Sequence, residues 1–212
     1  SGYQEQHPVE QGCSCRSAER ADFVARCWET AGCAAGQVED LRDEAIGMKH
    51  LLDSNTLIEA KNRYYGMTIC PGYWAWILQQ HQALEIASIV PVRDELAKGN
   101  DELTQWVKGN ASLFEDSNDQ RTQAAYGNIV SRIAQQVPVM KVGALEEFLE
   151  GADAWLIAKA MATGAVVVTH EVYNPDIKRK FTIPNVCSLF DVPFMNTFEL
   201  LGKLDARFVL HH

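Results

Sequence analysis

The spacing of apolar positions along the chain changes repeatedly, and each change predicts a new element. His50–Asp53 is a short apolar run closed by an acid and reads as a strand; Thr56–Asn62 starts a helix. Tyr73–Gln82 is helical, with Trp74, Ile77 and Leu78 on one face. Ile86–Ile89 predicts a strand and Val92–Lys98 a helix. Asp101–Lys108 and Asp119–Gln136 are helical and joined by a polar loop. Leu145–Leu149 is a short amphipathic turn or helix. Ala152–Thr163 predicts a helix, Ala165–Thr169 a strand, Ile183–Ser188 a last strand and Asn196–Leu204 a last helix. Strands separated by helices imply a parallel sheet covered on both faces. In such sheets, sites form at the carboxyl ends of the strands.

The first 47 residues read differently. Residues 1–16 are irregular. Ala21, Val24, Cys27, Trp28 and Ala31 recur at helical steps behind a capping Ser17, and Gln37–Ile46 predicts a second short helix. Met48-Lys49-His50-Leu51-Leu52-Asp53 looks like the opening of a domain. The division is therefore a helical segment 1–47 and an α/β domain 48–212. The terminal His211-His212 reads as a tag remnant.

Composition narrows the function. The chain has 212 residues, 47% hydrophobic and 22% charged, enough for one core. No apolar run approaches the roughly 18 residues of a membrane span. The polar, acidic start carries no secretory pattern, so a soluble, cytoplasmic protein without a membrane role is expected. The net charge is −9. A phosphate-handling role must then use a metal or a local basic patch, because the overall field repels phosphate.

Four of six cysteines lie early, at Cys13, Cys15, Cys27 and Cys33; the others are Cys70 and Cys187. The early spacing departs from the Cys-x2-4-Cys pairs of zinc sites and favours reduced thiols. Phosphate loops, dinucleotide fingerprints, His-Glu-x-x-His and Gly-x-Ser-x-Gly are all absent. Asp53-Ser54-Asn55-Thr56-Leu57 faintly resembles the Asp-x-Asp-x-Thr of haloacid-dehalogenase-type phosphatases but lacks the second Asp.

Acids at strand ends carry the chemistry. Asp53 closes the first strand, where it would serve a ligand or cap the following helix. Glu171 follows Val166-Val167-Val168-Thr169, as a site acid or a solvated one. Glu95 follows another strand, with Asp94 competing for any role. Asp153 opens a helix whose dipole favours an acid there. A parallel sheet brings such positions together. Clustered carboxylates cannot all stay ionised without a cation, and hard oxygen donors suit Mg²⁺ or Mn²⁺.

These residues also match a family. Leu51-Leu52-Asp53-Ser54-Asn55-Thr56-Leu57-Ile58 resembles the opening strand of PIN domains. Ala152-Asp153-Ala154-Trp155-Leu156-Ile157-Ala158 is similar to their second acidic motif. Val167-Val168-Thr169-His170-Glu171 resembles the late strand ending in Thr-x-Asp, with Glu for Asp, and Glu95-Leu96 resembles the middle glutamate motif. Ile58-Glu59-Ala60-Lys61-Asn62-Arg63-Tyr64-Tyr65 and Ile183-Pro184-Asn185-Val186-Cys187 look like a bacterial PIN-like branch found beside antitoxin genes. The resemblance spans about residues 48–204. It departs at Glu171, which reaches farther than Asp, and at Ala75, where that branch carries an acid.

The resemblance implies a Rossmann-like α/β/α sandwich with a central parallel sheet and metal-dependent cleavage of RNA, as in VapC-type toxins. Asp53, Glu95, Asp153 and Glu171 would then hold Mg²⁺ or Mn²⁺, supported by hydrogen bonds from Asn55 or Thr56. Lys178-Arg179-Lys180, with Lys61 and Arg63, would contact phosphates. Tyr64, Tyr65, Tyr73, Trp74 and Trp76 are candidates to stack on bases, although Trp74 also suits the core. An antitoxin is the implied partner, and such toxins often pair as homodimers. Arg20 or Arg26 in the first segment would reach the acids and restrain the enzyme. Two rival readings are a PIN-like binding module without catalysis and a haloacid-dehalogenase-like phosphatase.

Overall fold

The computed structural model describes residues 49–209. The helices expected over Ser17–Ala31 and Gln37–Ile46, the boundary at residue 47 and the four early cysteines lie outside the described residues.

Five short strands form one parallel sheet in the order β3-β2-β1-β4-β5. They are β1 (His50–Leu52), β2 (Ile86–Ile89), β3 (Phe114–Glu115), β4 (Val166–Val168) and β5 (Phe194–Met195). The central strands are apolar and covered on both faces, which is why they read as continuous apolar runs. Helices fill the connections: α1 (Ser54–Glu59), continuing as a π-helical turn over Ala60–Tyr64, α2 (Pro71–Gln82), α3 (Val90–Leu96), α4 (Glu102–Gly109), α5 (Gln120–Ala134), α6 (Ala144–Glu150), α7 (Asp153–Thr163), α8 (Ile183–Leu189) and α9 (Thr197–Lys203). Short 3-10 turns lie at Ala111–Leu113 and Val137–Val139. The α/β class with a central parallel sheet is therefore as expected. No helix among the described residues is long and apolar enough to cross a membrane.

Local chemistry sets the helix ends. Asp101 and Asp119 cap α4 and α5 through the N–H groups of Thr104 and Thr122. Asn196 and Glu199 form a reciprocal box at the start of α9. Gly164, at φ +73°, ends α7 in a left-handed turn that leads straight into β4. On one face α5 packs on α7, where Tyr126 stacks on Trp155 with ring centroids 4.0 Å apart.

One expectation is overturned. Ile183–Ser188 is the helix α8, and the edge of the sheet is Phe194–Met195 instead. Pro184 sits in the first turn, where its missing N–H is not needed. Ile183, Val186 and Cys187 are all buried at helical spacing. The strands β3 and β5 were not anticipated: two residues each is too short to leave a period. The loop expected between α4 and α5 in fact carries β3.

Candidate active site

With this strand order the crossovers reverse direction between β1 and β4. Parallel sheets open a crevice at such a point, beyond the carboxyl ends of the strands. Asp53 directly follows β1, and Thr169 and Glu171 follow β4. The backbone N–H of Asp53 donates to the Val168 carbonyl at 3.0 Å, so the two strand ends are tied together. Thr56 donates its hydroxyl to the same carbonyl at 2.9 Å, and Ser88 donates to the Leu52 carbonyl at 2.7 Å.

Asp53 is fully buried. Its Oδ2 accepts from the Thr169 hydroxyl at 2.9 Å and its Oδ1 from Ser54 at 3.3 Å. The capping role weighed for Asp53 is positional only, because its carboxylate makes no cap bond to α1. The support expected from Asn55 or Thr56 comes from Thr169 and Ser54. Thr56 is turned to the Val168 carbonyl, and Asn55 faces solvent. Burial pushes the Asp53 carboxyl up to about 6; the nearby charge of Glu171 adds to this, and the Thr169 and Ser54 donors oppose it.

Asp153 lies in the first turn of α7, with no side-chain bond capping that helix. Its carboxyl is pushed up to about 8, first by burial and then by the negative charges of Asp53, Glu171 and Glu95. The four acids named from the sequence therefore share one electrostatic neighbourhood. Beneath them Cys187 is buried in α8, its thiol pushed up to about 12 by burial and then by Asp153, so it stays protonated. Cys70 and Cys187 are free thiols.

The two glutamates are engaged. Glu171 accepts from Lys180 Nζ at 2.6 Å through Oε1, and from the Ile183 N–H at the start of α8 at 2.8 Å through Oε2. Glu95 accepts from the Ala152 N–H at 2.7 Å and so pins the start of α7 beside Asp153. Asp94, its competitor, is exposed and paired with Arg93. With the side chains held this way, no three Asp, Glu, His or Cys groups among the described residues are arranged to hold a metal ion. The donor chemistry nevertheless suits a hard divalent cation. Proton affinity is raised at both aspartates first by burial, with neighbouring negative charge adding to it. Release of Glu171 from Lys180 would free a third oxygen donor.

The basic candidates divide. Lys180 is held by Glu171, Lys61 by Asp101 and Arg63 by Glu59. Lys178 and Arg179 are exposed. Of the aromatic candidates, Tyr73, Trp74 and Trp76 are core residues, which removes them as base platforms. Tyr65 stacks on Tyr73 at 4.2 Å, while Tyr64 remains exposed. Ala75 is exposed on α2. Arg20 and Arg26 lie outside the described residues. Sequence reasoning missed Thr169 as the donor to Asp53; its place two residues before Glu171 was the available signal.

A family model described as a domain of unknown function (DUF4411) matches residues 50–208. No curated protein matches the sequence. Among solved structures, VapBC2 from Rickettsia felis bound to a DNA fragment from its promoter is similar with a TM-score of 0.44 at 14% identity, covering 70% of this chain and 98% of that one. VapBC-1 from nontypeable Haemophilus influenzae is similar with a TM-score of 0.44 at 18% identity, with the same coverage of 70% and 98%.

Proposed function

The chain belongs to the DUF4411 family, a domain of unknown function, and from that premise we propose that it is a metal-dependent endoribonuclease of PIN type, the toxin of a toxin–antitoxin pair. One observation carries this reading: Asp153, beside the carboxyl rim of the sheet, feels the negative charges of Asp53, Glu171 and Glu95, which add to burial in raising its proton affinity. Asp53 and Asp153 would hold Mg²⁺ or Mn²⁺, joined by Glu171 once Lys180 lets go. When bound, the cation supplies a Lewis acid at the scissile phosphodiester.

The chain's own residues do the rest. Thr169 fixes the Asp53 carboxylate, and Glu95 fixes the turn that carries Asp153. Lys180, freed from Glu171, lies within the site to neutralise a phosphate. Lys178 and Arg179 extend that positive edge. The expected products carry 5′ phosphate and 3′ hydroxyl ends. An antitoxin would cover this groove, and a homodimer is part of the same proposal.

The test is cleavage of single-stranded RNA in Mn²⁺ and in EDTA. Activity should vanish in EDTA and in the Asp53→Asn and Asp153→Asn variants; equal activity in those variants refutes the assignment. A second reading, a binding module without catalysis, is favoured by the Lys180–Glu171 pair and the closed arrangement of acids. Calorimetric titration with Mn²⁺ separates the two, since only the enzyme requires a carboxylate-dependent site.

A further inference from the structure

Three aromatic rings gather beside Glu171 without entering the core. Tyr64 ends the π-helical turn, His170 lies between Thr169 and Glu171, and Phe198 is in the first turn of α9. Tyr64 meets Phe198 edge-on with centroids 5.1 Å apart, and His170 at 5.7 Å. His170 and Phe198 are 5.9 Å apart. The His170 ring is held by its Nε2 contact with the Thr197 hydroxyl at 3.0 Å. Yet Tyr64 is 46% and Phe198 49% exposed. Three elements thus hold a ring cluster in place and leave Tyr64 and Phe198 half-exposed.

Two grooves border the rings. A groove of about 310 Å³ is lined by Asn55, Glu59, Arg63, Tyr64, His170 and Glu171. That is at the small end of ligand sites, which run from about 300 to 1,000 Å³. A second groove of about 390 Å³ lies against His170, Glu171, Phe194 and Phe198. The grooves share His170 and Glu171, so a strand crossing the acids meets the rings next. Flat rings suit a base face. The Asn55 amide, exposed and without a hydrogen-bond partner among the described residues, suits a base edge. Arg63 suits a phosphate; its pairing with Glu59 at 3.0 Å is on the surface and is exchanged at little cost.

We propose that Tyr64, His170 and Phe198 form a subsite for one unpaired nucleobase of single-stranded RNA, adjoining the acidic cluster. The proposal rests on the nuclease reading and deepens it by naming an unstacked base as the recognised element.

The experiment measures fluorescence anisotropy of a short labelled single-stranded RNA, and of an abasic strand of equal length. It uses the full chain carrying Asp153→Asn to block turnover. Tyr64→Leu and Phe198→Leu, both at exposed positions, should each weaken the intact RNA about tenfold. Tyr64→Trp should restore binding. The abasic strand should bind as weakly as intact RNA binds the leucine variants, and should be insensitive to them. Equal binding of intact RNA by all variants, equal binding of the abasic strand, or no RNA binding at all overturns the subsite. Cleavage in Mn²⁺ by the chain with Asp153 intact is scored in parallel. Ring-dependent binding without cleavage leaves the subsite standing and removes the nuclease, while cleavage with ring-independent binding does the reverse.

Discussion

The Thr169 hydroxyl donates to Asp53 Oδ2 across 2.9 Å, joining side chains 116 residues apart in sequence. The same oxygen accepts the Glu171 N–H at 3.1 Å, so one hydroxyl positions two of the acids. Thr169→Val should leave the buried Asp53 carboxylate short of a donor. The expected cost is about 1–3 kcal/mol in chemical denaturation, and the Asp53 carboxyl should move further upward. Thr169→Ser should recover most of the loss. A valine variant as stable as the parent at neutral pH contradicts this role.

The acids should make stability fall as pH rises. Burial and mutual repulsion raise Asp53 to about 6 and Asp153 to about 8. The folded state therefore holds these protons more tightly than the unfolded chain, whose carboxyls titrate near 3.9. The penalty is absent below that value, grows as pH rises above it, and is complete once pH passes about 6 for Asp53 and about 8 for Asp153. Without divalent ions, Tm should drop over this window, and Mn²⁺ should recover it most at the alkaline end. Asp153→Asn should stabilise the metal-free protein by about 1–3 kcal/mol at pH 8. A flat Tm profile for the parent protein would falsify the clustering.

Lys180 stands where a cation is wanted. Its hydrogen bond to Glu171 raises the lysine's proton affinity and keeps it charged. Lys180→Gln should tighten Mn²⁺ binding severalfold by calorimetry, because it removes both a competing charge and a tether on Glu171. The Lys180 side chain is 45% exposed but Glu171 only 13%; Glu171 keeps the Ile183 N–H as a partner in the variant, so Tm should fall modestly. Weaker Mn²⁺ binding in this variant would show that Lys180 organises the acids rather than competing for them.

Away from the site, acid lability should trace in part to Asp101. The Lys61 hydrogen bond, followed by the Thr104 N–H, holds its carboxyl down at about 2. A depressed carboxyl stabilises the fold above the unfolded value near 3.9 and loses that contribution as pH falls toward 2. Asp101→Ala also removes the α4 cap and should cost about 1 kcal/mol at neutral pH. The gap between variant and parent should close in acid. A gap unchanged at low pH contradicts the assignment.

Much of the scaffold could be read from spacing. Ile86–Ile89 and the helix over 153–163 came out almost residue for residue, the strand as a short, mostly apolar run buried throughout and the helix because it spans three turns. The place of Asp53 and Glu171 at the carboxyl rim was legible because each follows a strand of a parallel sheet, whereas Glu95 and Asp153 stand on helices. The helix Ile183–Leu189 was not, since one short apolar run with a proline fits two periods. The aromatic assignments split for a similar reason. Tyr73 and Tyr64 are both tyrosines in helical segments, but one is buried under its neighbours and the other borders a groove.

Local sequence was sufficient for the parallel α/β class, the three central strands and most of the helices, because periodicity and chain geometry act over a few residues; the edge strands and the helix Ile183–Leu189 were not legible in it. Which donor meets which acid was beyond its reach. Thr169 over Asp53, Lys180 on Glu171 and the Ala152 N–H on Glu95 are chosen by how distant segments pack. The same packing leaves Asp53 without water, and the loss of hydration, not the identity of the residue, raises its proton affinity.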